Sequence, residues 1–182
     1  MSSLLCRLRG ETAELHRHVE GQMPVMHDHL TRADYAQFLA RLLSVYRPLE
    51  AAHAALPIPA AFNLPTRRKA PLLRADLAVL GQTETNPPAA LTLPQTVPAA
   101  LGTLYVLEGA TLGGQVIARH LRRVLDLGPE NGGRFFHGYG ADTGPMWRAF
   151  GVALDGASPP EHHDEVVAGA RLGFSLFAAV LA

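Results

Sequence analysis

Apolar positions recur at intervals of three and four along most of this chain, the spacing of one buried face of a helix. Leu5, Leu8, Leu15 and Val19 make the first stripe, with Thr12 and His16 on the same side. Residues 3–21 are therefore predicted to be one amphipathic helix, ended by Gly21 and Pro24. Thr31-Arg-Ala-Asp34 has the form of a capping box with Asp in place of Glu, and opens a second helix over about 32–55. Tyr35, Phe38, Leu39, Leu42, Leu43, Tyr46 and Leu49 supply its inner side, and Pro48 is expected to bend it. Leu72, Leu73, Leu77 and Leu80 mark a third helix from Arg67 to Leu80, with Pro71 tolerable only in its first turn. The proline-rich stretch from Gly81 to Pro98 reads as an irregular but folded loop, because Leu91 and Leu93 call for burial. Helical spacing returns from Ala99 to Leu127, closed by Gly128-Pro129. It returns again at about 145–155, with Met146, Trp147, Phe150 and Leu154, and at about 160–181, with Val166, Val167, Ala170, Phe174 and Phe177. No alternating segment of strand length survives. The pattern predicts an all-α, single-domain bundle of about seven helices spanning residues 1–182.

One segment departs from good helix-forming sequence. Gly109, Gly113 and Gly114 sit in the middle of the long apolar helix, and each interior glycine costs about 1 kcal/mol relative to alanine. A spacing of four puts Gly109 and Gly113 on one face, beside Ala110 and Gly114. A face without side chains admits close approach, either by another helix or by a flat ligand. The pattern alone leaves both open.

Composition narrows the class. The chain has 182 residues, 48% of them apolar and 18% charged, with a formal net charge of +0. Neutrality speaks against a general nucleic-acid binder. There is no apolar run of about 18 residues to act as a membrane anchor, and Arg7 and Arg9 interrupt any leader-like apolar core. Cys6 is the single cysteine, which rules out an internal disulfide or a thiolate metal cluster and suits a cytoplasmic protein. All but one of the 16 basic residues are arginine, the side chain best shaped for carboxylates. Among candidate ligands, His16 lies on the apolar side of the first helix with Glu20 one turn on, while His18 points away. A single histidine at the edge of an apolar face is more often a core residue than a ligand. His27-Asp28-His29 has a weak metal-dyad look and reads as solvated. His162 and His163 are adjacent and cannot easily share one metal. The glycine-rich Asn131–Gly140 stretch lacks the strand and lysine of a phosphate loop.

A glycine-faced helix together with a histidine on another helix's apolar side suggests haem, held between an axial imidazole and bare backbone. Over nearly its full length the chain resembles the haem oxygenase family, most closely its bacterial, biliverdin-producing members. Thr12-Ala-Glu-Leu-His16-Arg-His-Val-Glu20 is similar to the family's proximal segment. Leu42-Leu-Ser-Val-Tyr46-Arg-Pro-Leu-Glu50 is similar to its second helix, and Leu104-Tyr-Val-Leu-Glu-Gly109-Ala-Thr-Leu-Gly113-Gly114 to its distal helix. Met146–Phe150 and Ala170–Phe174 fall where later pocket helices belong. The resemblance implies haem b as cofactor and substrate together, with His16 as axial iron ligand and Glu20 as the partner that orients it. It implies Thr12, Tyr105, Ala110 and Phe174 around the haem, and Arg9 and Arg148 for the propionates. Gly109, Gly113 and Gly114 would press on the distal side, with Tyr46 anchoring a water network. The implied reaction consumes O2 and electrons from a ferredoxin or flavoprotein reductase and releases biliverdin, carbon monoxide and ferrous iron. Arg119, Arg122 and Arg123 could dock such a donor or form an ordinary solvated face. The chain departs from many members in carrying Ala110 where they have aspartate after the first distal glycine. A water chain on Tyr46 and backbone carbonyls, helped by Thr111 or Gln115, would then replace the carboxylate. Two alternatives stay open: a non-catalytic haem-binding or sensing protein on the same fold, and a thiaminase-like relative acting on another small molecule. The sequence is silent on oligomeric state, and a monomer is compatible with it.

Overall fold

The computed structural model describes residues 3–82 and 91–182, and among them there is no strand. Pro87 and Pro88 of the expected loop lie outside the described residues; Leu91 and Leu93 are partly buried against the core, as their apolarity requires. The first expected helix is two. α1 (Ser3–Glu11) and α2 (Ala13–Gly21) meet at Thr12, whose φ of −115° leaves the helical range. The Thr12 hydroxyl donates to the Leu8 carbonyl at 2.7 Å, alongside the Thr12 amide at 3.0 Å, so that carbonyl carries a second donor at the joint.

α3 (Arg32–Ala55) begins at the expected capping box: the Asp34 amide donates to the Thr31 hydroxyl, and the Thr31 amide to the Asp34 carboxylate, both at 3.1 Å. The third expected helix starts three residues late, as α5 (Ala70–Val79), which leaves Pro71 in its first turn, and a separate short α4 (Leu64–Arg67) precedes it. The start of α5 is capped from a distance. Glu50 of α3 accepts the amides of Lys69 and Ala70 at 2.5 and 3.0 Å.

α6 (Val97–Leu125) starts two residues earlier than expected and ends before Gly128-Pro129. It stops because Asp126 adopts the left-handed conformation, and the Leu127 amide then bonds back to the Leu121 carbonyl. The glycine-rich segment is not a plain loop. It contains α7 (Arg134–His137), capped by Asp76, which accepts the Arg134 and Phe135 amides at 2.9 and 2.7 Å. α8 (Thr143–Ala157) and α9 (His163–Leu181) complete the chain near their expected bounds. The buried apolar side chains form one continuous core that draws on α1, α3, α5, α6, α8 and α9. α6 and α9 cross backbone to backbone: a β-carbon at Gly102 would stand 2.0 Å from the Val166 carbonyl oxygen.

Candidate functional site: an apolar cavity between α2 and α6

Where α6 leaves the α9 crossing, it opens onto a cavity of about 670 Å³. That volume lies in the range of small-molecule sites. His16 and Glu20 of α2 bound one side, and Gly109, Ala110 and Gly113 of α6 another. The remaining walls are apolar and aromatic: Tyr46 of α3, Phe135 and Phe136 of α7, Trp147 of α8, Phe174 and Phe177 of α9. The aromatic rings fix one another. Tyr46 meets Phe135 and Phe177 edge-on at 5.3 and 5.4 Å, and Trp147 stacks on Phe150 at 5.5 Å. The Asp76 cap on α7 holds Phe135 and Phe136 in the wall.

His16 Nδ1 lies 3.4 Å from Glu20 Oε2, one helical turn away, which leaves Nε2 as the nitrogen for a ligand bond. The ring also packs edge-on against Phe174 at 5.7 Å. His18 does not line the cavity. Opposite, a β-carbon on Gly113 would meet nothing within 4 Å, and one on Gly109 only the edge of Trp147 at 3.9 Å. One edge of the cavity is polar. Arg9 and Tyr105 line it, and the Tyr105 hydroxyl sits against the Thr12 side chain and near the Arg9 charge. Burial raises the Tyr105 phenol, and Thr12 and Arg9 pull it back. Burial raises the Tyr46 phenol too, reinforced by the negative charges of Glu50 and Glu108, so it stays a neutral hydroxyl in the wall.

Three residues assigned by resemblance do not line the cavity. Gly114 faces α7, where a β-carbon would stand 3.0 Å from the Phe136 carbonyl oxygen; it serves helix packing, because one residue past Gly113 turns to another side of the helix. Thr12 is buried at the α1–α2 joint, with its side chain against the Tyr105 hydroxyl. Arg148 is exposed, beside rather than within the Trp147 wall. Nor do the helpers expected beside Ala110 reach the space: the Thr111 hydroxyl donates to the Glu108 carbonyl at 2.6 Å, and the Gln115 amide to the His137 carbonyl at 3.0 Å. The arginine patch is partly neutralised, with Arg123 on Asp28 at 2.7 Å and Arg122 near Asp126 at 3.4 Å. His27, Asp28 and His29 are exposed, and among the described residues no group of three or more metal-ligating side chains is gathered.

A set of residues that the hydrophobic pattern passed over stands directly behind Gly109. Glu108, Arg67, Lys69 and Tyr139 form a hydrogen-bonded cluster there. The visible signal was one carboxylate inside the apolar run from Leu104 to Leu112.

This is an all-α protein in which one imidazole and a stretch of bare helix backbone line the same apolar cavity, a lining suited to a flat, metal-bearing ligand. The model of the haem oxygenase family matches residues 2–182, and the chain belongs to that family. The heme oxygenase of Xanthomonas campestris pv. campestris (strain 8004) is 40% identical over 121 residues, which are 64% of this chain and 68% of that protein. The NO- and CO-bound heme oxygenase of Neisseria meningitidis superposes with a TM-score of 0.78 at 25% identity, covering 100% of this chain and 91% of that one. The heme oxygenase of Leptospira interrogans gives 0.80 at 20% identity, over 99% and 98% of the two chains, which shows the shared fold. Heme oxygenase-1 of Synechocystis sp. PCC 6803, solved in complex with heme, gives 0.76 at 16% identity, over 99% and 91%. No helix among the described residues is long and apolar enough to cross a membrane.

Proposed function

We propose that this haem oxygenase opens haem b to biliverdin, releasing carbon monoxide and ferrous iron, with O2 and electrons from a ferredoxin or flavoprotein reductase. The observation that carries the reading is His16 and the Gly109–Gly113 surface lining one apolar cavity. The residues fit the group. The Glu20-facing imidazole offers one nitrogen to an iron, the glycines leave room for a flat ring, and Arg9 with Tyr105 offers a cation and a hydroxyl to propionates. When bound, haem supplies iron-centred oxygen activation and is itself the carbon skeleton oxidised.

The chain's own residues set the conditions. Glu20 orients the His16 ring and stabilises the tautomer that presents Nε2. Gly109 and Gly113 let backbone approach where any side chain would hold the ligand off. With a flat ring in place, the aromatic walls would keep water from its inner face, which strengthens the polar contacts there. Ala110 offers no proton donor, so no strong acid stands on this side of the slot. The Tyr46 hydroxyl is the polar group of the α3 wall and the anchor we assign to a water chain.

Titration of the protein with hemin, followed by reductant and O2, tests the reading; bilin absorbance is the expected product signal. His16→Ala is expected to abolish the normal low-spin spectrum of the hemin complex, and His18→Ala to leave it intact. The reverse pair of results would move the site off His16.

A further inference from the structure

The cluster behind Gly109 has no role in the reading so far. Glu108, one residue before Gly109 on α6, is 1% exposed. Its carboxylate accepts hydrogen bonds from Arg67 Nη1 and from the Tyr139 hydroxyl at 2.8 Å, and Lys69 Nζ lies 3.5 Å away. Lys69 is the chain's single lysine and is 2% exposed; it donates to the Tyr139 hydroxyl at 2.5 Å and to the Arg67 carbonyl at 3.0 Å. Arg67 in turn donates to the Phe62 carbonyl at 2.6 Å and reaches the Met146 carbonyl at 3.4 Å. Burying charges is costly, and a well-packed apolar substitute is often as stable. Here the charges tie together segments that share one geometric task. Glu108 precedes the bare glycines, Tyr139 follows the Phe135–Phe136 wall, and Met146 precedes Trp147.

A helix face without side chains has no packing of its own to locate it. From Gly109 to Gly113, α6 meets only the edge of Trp147 at its glycines. It must be held from its ends. Gly114 against the Phe136 carbonyl and Gln115 on the His137 carbonyl hold the far end. We infer that Glu108 is a positioning residue that holds the near end: through Arg67, Lys69 and Tyr139 it sets how far the Gly109–Gly113 surface stands from the aromatic walls. The inference rests on the reading that this slot takes haem, because slot width then governs how the ring is presented. Burial pulls the Lys69 ammonium down and Glu108 opposes this, so a variant without the carboxylate also loosens the hold on Lys69.

Three variants test it: Glu108→Gln, Tyr139→Phe, and the paired Arg67→Met/Glu108→Leu, which removes the Arg67–Glu108 ion pair as a unit and leaves Lys69 its bonds to the Tyr139 hydroxyl and the residue-67 carbonyl. The first readout uses haem-free protein. Amide hydrogen exchange over 109–114 is expected to quicken about tenfold in the paired variant and in Glu108→Gln, and less in Tyr139→Phe, with the middle of α3 unchanged. The second readout is the distribution of biliverdin isomers from the hemin complex, which is expected to shift in the same order. A folded paired variant with wild-type exchange over 109–114 and a wild-type isomer distribution would overturn the inference. If the paired variant and Glu108→Gln both fail to fold, Tyr139→Phe decides by the same two readouts. If the wild-type protein takes up no hemin, the haem reading fails by itself, and the exchange contrast still decides the role of Glu108.

Discussion

At Gly102 a β-carbon would lie 2.0 Å from the Val166 carbonyl oxygen, and at Gly169, on the helix across, 2.1 Å from that of Ala99. Seven residues on from Gly102, at Gly109, it would meet only a tryptophan edge at 3.9 Å, and at Gly113 nothing within 4 Å. The same residue type on the same helix thus closes a backbone crossing in one half and leaves a space in the other. A glycine in an apolar helix does not announce a ligand. What stands opposite decides, and that belongs to other elements of the chain. Close helix packing is realised on α6 at Gly102, while at Gly109 and Gly113 the face stands open onto the cavity.

The contrast can be broken most severely at the closed half. Gly102→Ala or Gly169→Ala has no flexible side chain to push aside, only backbone, so the loss of stability is expected to reach about 3 kcal/mol or more, the upper range of overpacking. Thermal unfolding of haem-free protein measures it. Acid should act on the same half. His53 Nε2 lies 2.7 Å from the Thr103 hydroxyl, and burial pushes the imidazole down to about 4 from its ordinary 6.5. The unfolded chain takes up that proton first as pH falls. The contribution is therefore intact above pH 6.5 and is lost on the way down to about pH 4, by about 3 kcal/mol. Urea unfolding at pH 7 and pH 4.5, on wild type and His53→Gln, is expected to show a shallower acid loss in the variant.

The open half should respond in the opposite sense. Gly113→Leu fills space that no protein atom occupies, so hemin affinity is expected to fall tenfold or more, about 1.4 kcal/mol, while the unfolding temperature holds or rises. Gly109→Ala is the mildest change. It should gain about 1 kcal/mol of helix stability and weaken hemin binding only a few-fold, read by titration of the same preparation. If Gly113→Leu destabilised the protein as Gly102→Ala does, the two halves would not differ in kind.

Much of the architecture was legible in the chain. The apolar period placed α3, α6, α8 and α9 within a few residues, and the Thr31–Asp34 box marked the start of α3. The misses were local. The Thr12 joint, the late start of α5 and the left-handed Asp126 end are set by single hydrogen bonds or dihedrals that leave no periodic trace. In the site, the His16–Glu20 spacing and the Gly109–Gly113 face were readable because each lies within one helix, where spacing fixes direction. Arg148 and Gly114 were not, since whether they reach the cavity depends on how α8 and α7 pack.

Sequence alone determined which faces are apolar, which helix is bare and which imidazole has a carboxylate one turn away. These are properties of neighbours along the chain, governed by the helical repeat. Only the tertiary structure decided that Gly102 would be covered and Gly113 left open, and that Glu108 would find Arg67, Lys69 and Tyr139. Those pairings, from Glu108–Tyr139 to Gly102–Val166, join residues 31 to 64 positions apart, and no local periodicity encodes the encounter of distant segments.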